Sequence, residues 1–240
     1  MRSRVAIGAL LVSLGLSAGC TRTTDGIEVD IAYQTPPTPQ ALRTDMGYRV
    51  WLDRALIVLG PVELIRCDNF ARALWRLFTV SRAKAHTPTT PTSLGIPLVL
   101  DLLESGGIGF VVGTIRPPPG RYCGLRVIGA PADADAVGIK NNDEMLDRSV
   151  LLTGDIEDGE SLVRTPFEVS IQDSLPNELV FTEPLVFDSP RLVNVSIQID
   201  HMRWFDGIDF AQVAPGDAGS AAVQRRVAEN IRDSMAAESQ

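Results

Sequence analysis

The chain has 240 residues, with 22 Lys plus Arg against 30 Asp plus Glu and a formal net charge of -8 at pH 7. No Lys/Arg cluster interrupts that acidity, which argues against a nucleic-acid partner, because phosphates require a basic face. Beyond the N-terminal region no apolar stretch approaches the roughly 20 residues of a bilayer-spanning helix.

Arg2 and Arg4 precede an apolar run from Val5 to Leu16, and small residues lead into Cys20. This is the layout of a secretory signal and too short for a membrane span. The segment Leu16-Ser17-Ala18-Gly19-Cys20 resembles the lipobox of bacterial lipoproteins, whose cysteine becomes the first mature residue and carries the lipid. It departs in one place, since the leucine stands one position earlier than the pattern prefers. The resemblance implies a signal over 1–19, lipidation at Cys20 and a short tether over 20–26. A membrane attached through that lipid would then be a partner. Thr21, where an aspartate could stand, is similar to lipoproteins passed to the outer membrane, facing the periplasm or the cell surface. An ordinary cleaved signal with a chance cysteine is the alternative.

Assigning Cys20 to a lipid leaves Cys67 and Cys123. In an oxidising compartment such a pair is expected to bridge. The bridge would close a loop of about 55 residues and contribute about 3–4 kcal/mol on the chain-entropy model. Reactive or metal-binding thiolates are the competing reading, without a CxxC spacing or a nearby histidine to support it.

Ile27, Val29 and Ile31 alternate with acids and predict a first strand, stopped by Thr35-Pro36-Pro37-Thr38-Pro39. A stronger β signal spans 47–59, with a break in phase near Arg54-Ala55 that predicts a bulge, before Gly60-Pro61 turns the chain. Asp68-Asn69 followed by Phe70, Leu74, Leu77 and Phe78 has helical spacing and a capping residue, so one short inserted helix is expected. Residues 80–96, rich in Thr and Pro, read as a long loop. Strand signals return at 98–103, 108–115 and 121–128. In the last, Cys123, Leu125 and Val127 are expected to point inward and Tyr122, Gly124 and Arg126 outward. An acidic loop over 130–147 follows, then strands at 149–153, 165–172, 178–187 and 192–200. Ser220 can cap a helix over 221–236 with Val223, Val227 and Ile231 on one side, and the last three residues should fray.

Short strands separated by Pro/Gly turns argue for an all-β protein, an antiparallel β-sandwich of the immunoglobulin-like kind with the inserted helix and a C-terminal helix. The sandwich should occupy 27–210 and the helical segment 211–240.

Two histidines restrict catalytic arrangements. There is no Gly-x-Ser-x-Gly elbow, and Gly106-Gly107-Ile108-Gly109 lacks the lysine and following helix of a phosphate loop. The segment from His201 to Phe210 gathers a histidine, a methionine, a tryptophan and two aspartates at the end of the clearest strand. His and Met both ligate copper, and His86 lies in the other long loop, so the two imidazoles could share an ion. Equally, Trp204, Phe205 and Phe210 could plug the sandwich end while Asp206-Gly207 makes a turn. The Trp-Phe-Asp-Gly segment and the strand pattern resemble the methanobactin-associated periplasmic protein family, exported β-rich bacterial proteins associated with copper uptake. The resemblance implies copper as cofactor, with His86, His201 and Trp204 near the metal. Arg203 works against this, since a neighbouring cation disfavours a metal. Asp133, Asp135 and Asp143, with Glu144, could hold calcium, or the loop is simply a solvated acidic surface.

The sequence therefore leads to a lipid-anchored envelope protein, not an enzyme, with a binding or accessory role towards an unidentified ligand or envelope protein. A copper-binding protein and a hydrolase using acidic residues are the alternatives.

Overall fold

A computed structural model describes residues 26–37, 39–68, 89–104, 109–158, 163–212 and 220–239. The signal, Cys20 and its tether, the inserted helix expected after Asp68, and His86 lie outside the described residues. The strands are β1 (Ile27–Gln34), β2 (Leu42–Arg43), β3 (Arg49–Arg66), β4 (Ser93–Leu94), β5 (Leu98–Asp101) and β6 (Phe110–Ile115). They continue as β7 (Gly120–Gly129), β8 (Val150–Glu157), β9 (Arg164–Ile171), β10 (Leu175–Phe187), β11 (Arg191–Ile199) and β12 (Met235–Ser239), with a helix over Ala221–Asp233 before β12. They form a four-stranded sheet in the order β12-β11-β1-β6 and an eight-stranded sheet built around β3. The result is sandwich-like and not a closed barrel, as the alternating patterns predict. One pairing departs from the antiparallel rule, since β1 and β11 run parallel.

β3 organises the larger sheet. Ile57 pairs with Leu100 and Val150, and Leu59 pairs with Leu98 and Gly129. β8 and β7 therefore follow one another along the same edge of β3, and β5 takes the opposite edge. Every residue from Ala55 to Leu59 is buried, and the two faces serve different cores. Ala55, Ile57 and Leu59 join the main core between the sheets, while Leu56 and Val58 join Ala132, Ala136, Ile139 and Met145 beneath the loop after β7. A strand covered on both faces needs such a continuous apolar run.

The expected bulge is present, as a register shift against β8 between Leu52 and Arg54. Gly154 lies opposite it, where a Cβ would stand 1.8 Å from the Trp51 carbonyl oxygen. Gly60-Pro61, in contrast, does not turn the chain. β3 runs straight through it, and the register against β7 shifts between Leu59 and Val62. A bulge tolerates Pro61 because no ladder bond is asked of its missing amide hydrogen. Gly60 is required there, since a Cβ would come within 2.6 Å of the Ile128 carbonyl oxygen.

Cys67 and Cys123 form a disulfide, 56 residues apart in sequence. The expected phase of β7 is corrected: Tyr122 is fully buried and Cys123 is only half-buried. The cause is a third irregularity of β3, since Ile65 pairs with Gly124 and Arg66 with Tyr122, which leaves Cys123 outside the ladder and free to reach Cys67.

The C-terminal helix begins at Ser220, whose hydroxyl accepts from the Val223 amide at 3.4 Å. Val223, Val227 and Ile231 are buried, each contributing about 1.5–3 kcal/mol by removal from water. The helix stops at Asp233, and the expected frayed end is instead strand β12, from Met235↔Ile199 to Ser239↔Val195. Among the described residues no helix is long and apolar enough to cross a membrane.

The disulfide fastens β7 to the end of β3. Replacing Cys67 and Cys123 together by Ser should lower unfolding stability by about 4 kcal/mol, read as a shift in the urea midpoint. Thiol titration of the denatured, unreduced protein should find neither sulfur free.

Candidate functional site

The segment singled out in the sequence follows β11. Asp200 accepts from the Met202 amide at 3.1 Å and so caps a single 3-10 turn over His201–Arg203. The turn folds Trp204 and Phe205 into the core, where both are almost wholly buried. Phe205 stands edge-on to Phe167 at 5.4 Å, and Phe210 edge-on to Tyr48 at 5.3 Å.

The polar groups of this segment serve the packing. Trp204 Nε1 donates to Ser234 Oγ at 2.9 Å, and that hydroxyl donates onward to the Ile231 carbonyl. Asn230 Nδ2 donates to the carbonyls of Trp204 and Asp206 at 3.0 and 2.9 Å. Asp45 and the Asp206-Gly207 turn bond reciprocally: the Gly207 amide donates to Asp45 Oδ1 at 2.7 Å, and the Asp45 amide donates to Asp206 Oδ1 at 3.2 Å. Tyr48 donates to Asp209 Oδ1 at 2.8 Å and accepts from the Ala211 amide at the same distance. Arg203 is left at the surface, paired with Asp206 at 3.3 Å.

His201 has no exposed surface and lies edge-on to Trp204 at 6.2 Å. Burial holds its imidazole below the ordinary histidine range, and the Asp200 carboxylate pulls weakly the other way. Among the described residues no three of His, Cys, Asp and Glu gather where they could hold a metal ion. That includes Asp133, Asp135 and Asp143. The Asp133 carbonyl accepts from the Ala136 amide, Asp143 opens a 3-10 turn, and Glu144 pairs with Arg54 of β3.

A concave site lies elsewhere, where the end of β1 faces the middle of β3. It is a cleft with a cavity volume of about 140 Å³. Tyr33, Leu59 and Val62 line it from the buried side, Leu94, Leu98 and Val112 are half-buried walls, and Thr89, Ile96 and Val137 are its exposed lip. Among the described residues Tyr33 is the one ionisable side chain lining it, and burial pushes its phenol well above the usual value, so it stays protonated. The loop wall is tied down. The Val137 amide donates to the Pro97 carbonyl and the Val99 amide to the Val137 carbonyl, both at 2.9 Å. Sequence reasoning missed this cleft because its walls are ordinary strand residues. The one local signal was Ile96, an apolar residue between Gly95 and Pro97 in a turn.

No family model and no curated protein matches the chain. Among solved structures it has a weak likeness to MbnP from Methylosinus trichosporium, with a TM-score of 0.37 and 12% identity over 82% of this chain and 87% of that one. A likeness this loose assigns no residue a role.

The buried imidazole gives a pH dependence of known sign. The unfolded chain takes up the His201 proton near pH 6.5 and the folded protein only below that. The stability linked to His201 is therefore fully present above about pH 6.5 and is lost as pH falls through it towards the lower folded value. Urea midpoints of the wild type should fall between pH 7 and pH 5.5, and His201→Leu should flatten that fall.

Proposed function

We propose that this chain is a lipid-anchored protein of the bacterial envelope whose role is binding and not catalysis. The apolar cleft carries the reading, since it offers a ligand a concave surface in which, among the described residues, a protonated tyrosine is the only ionisable wall. A hydrolase using acidic residues would need carboxylates facing its substrate, and among the described residues no carboxylate lines this cleft. The anchor is supported by the cysteine count. Cys67 and Cys123 are bonded to each other, and Cys20 is the remaining cysteine of three, standing after an apolar leader. The polar residue Thr21 after it favours the outer membrane.

Expression in a Gram-negative host tests the anchor. The wild type should enter the detergent-rich phase on cloud-point separation, and blocking lipoprotein signal cleavage should accumulate the longer precursor. The Cys20→Ser protein should leave the detergent-rich phase; retention there would overturn the anchor.

Copper binding through His86 and His201 is the competing reading, and burial of His201 counts against it. Metal analysis of protein purified from copper-supplemented periplasm should find far less than one copper per chain. Stoichiometric copper that is lost in His86→Ala or His201→Ala would replace the present reading with the copper one.

A further inference from the structure

The cleft beside Tyr33 has a size, a polarity and a position that narrow what it can hold, and the inference drawn from them rests on the binding role proposed above. Its volume of about 140 Å³ is close to that of engineered apolar cavities that hold one benzene ring, and below the roughly 300 Å³ at which pockets for larger ligands begin. Its inner side is apolar, and among the described residues none of its lining side chains is charged at neutral pH. A charged group entering it would lose its hydration without gaining a counter-charge. At the lip, Ile96 is 56% exposed and Val137 is 52% exposed, so apolar surface continues from the cavity to solvent and marks the way in.

The walls are already in place. Tyr33 lies on β1, which is bonded on one side to β11 and on the other to β6. Leu94 is seated on β6 so closely that a Cβ at Gly113 would come within 2.9 Å of its Cδ1. A ligand therefore meets a formed cavity and spends little affinity on ordering it. Position separates two sources of an apolar group. β1 starts at Ile27, close after the tether, and Tyr33 lies six residues further along, about 20 Å at the rise of a strand. With the anchor proposed above, the cleft lies at the end of β1 away from the tether, which favours dissolved molecules over bilayer chains.

We infer that this cleft is a binding site for a small, uncharged, largely apolar solute of single-ring size, entering over Ile96 and Val137. The test uses the full exported chain with Cys20→Ser, followed by methyl NMR titration with p-cresol, benzoate and n-decanol. p-Cresol should bind saturably with a Kd of about 0.1–1 mM, shifting methyl signals of Leu94, Leu98 and Val112. Benzoate, of the same size but charged, should bind at least about tenfold more weakly. Val112→Phe, which fills the cavity, and Ile96→Asp, which puts a charge on the exposed lip, should each weaken p-cresol about tenfold. Ile96→Asp leaves the core untouched and carries the test if Val112→Phe does not fold. Equal binding of benzoate, or p-cresol binding unchanged in Ile96→Asp, would overturn the inference. Saturable binding of n-decanol without p-cresol would overturn the ligand class and leave the binding role standing. Binding of none of the three would remove both.

Discussion

The double burial of β3 is the constraint on which the other elements depend. A strand whose alternate residues face two separate cores cannot carry charge in either phase, and the run from Ala55 to Leu59 carries none. The second core exists only because the loop after β7 folds over Leu56 and Val58. Its fastening is partly ionic, since Arg54, one residue before the apolar run, pairs with Glu144 and donates to Asn142 Oδ1 at 3.0 Å. The acidic character that could be read as a calcium loop is thus partly the counter-charge of β3. Further along, the next edge is closed by another charge ladder. Arg126 of β7 sits in register between Glu63 of β3 and Glu178 of β10 and bonds to both, with the Glu178 side chain almost fully enclosed. Enclosed acids are tolerated when paired in this way, and removing Arg126 alone would leave a buried charge uncompensated.

Strands with one buried face were legible because alternation reports burial directly. β1 follows its pattern residue by residue, β11 departs from it at the buried Ser196, and the bulge in β3 was visible as a slip of phase. Three features were not visible, each for a physical reason. Gly60-Pro61 reads as a turn from local preference, but the partner strand β7 absorbs the irregularity as a bulge, and tertiary pairing overrides the local signal. The phase of Tyr122 depends on a bulge that Cys123 occupies, and a bulge leaves little trace when the residues on both sides are apolar. β12 is Met-Ala-Ala-Glu-Ser, a sequence with no strand preference, and it becomes a strand through the exposed edge of β11.

The candidate site was less legible than the fold. The His201–Phe210 segment has the residue types of a metal site, and residue type is all that a sequence displays. What decides its role is that Asn230 and Ser234, on and after a helix that follows it, take up the Trp204 carbonyl and indole hydrogen. Such partners lie 26 and 30 residues away and no local pattern points to them. The aromatic packing of the segment is therefore set by these distant partners, and burial also sets the imidazole of His201 towards its neutral form. The cleft was invisible for the opposite reason. Its wall residues obey the strand pattern so well that nothing distinguishes a side chain facing a neighbour from one facing a void.

The two sides of that cleft differ in how they are held, and this bears on selectivity. One side is sheet, with Tyr33 and Val112 on adjacent paired strands and Leu59 at the centre of β3. The other is the segment from Thr89 to Pro97, whose β4 pairs with β3 through Val62↔Leu94 and Glu63↔Ser93 and which is held further by reciprocal bonds between Thr90 and Ser93 at 3.1 and 3.2 Å and by the bond from Val137 to Pro97. Tyr33 and Leu59 cannot move without breaking ladders on both edges of their strands, whereas Ile96, outside β4 and exposed, shifts at lower cost. A wider ligand would therefore be accommodated first by displacement of Ile96, while Leu94, paired with Val62 and packed against the core, would have to leave both to move. Gly113 makes the Leu94 contact close, so the displacement is opposed from the sheet side. Size discrimination in this cleft is accordingly governed by how tightly Leu94 sits on Gly113.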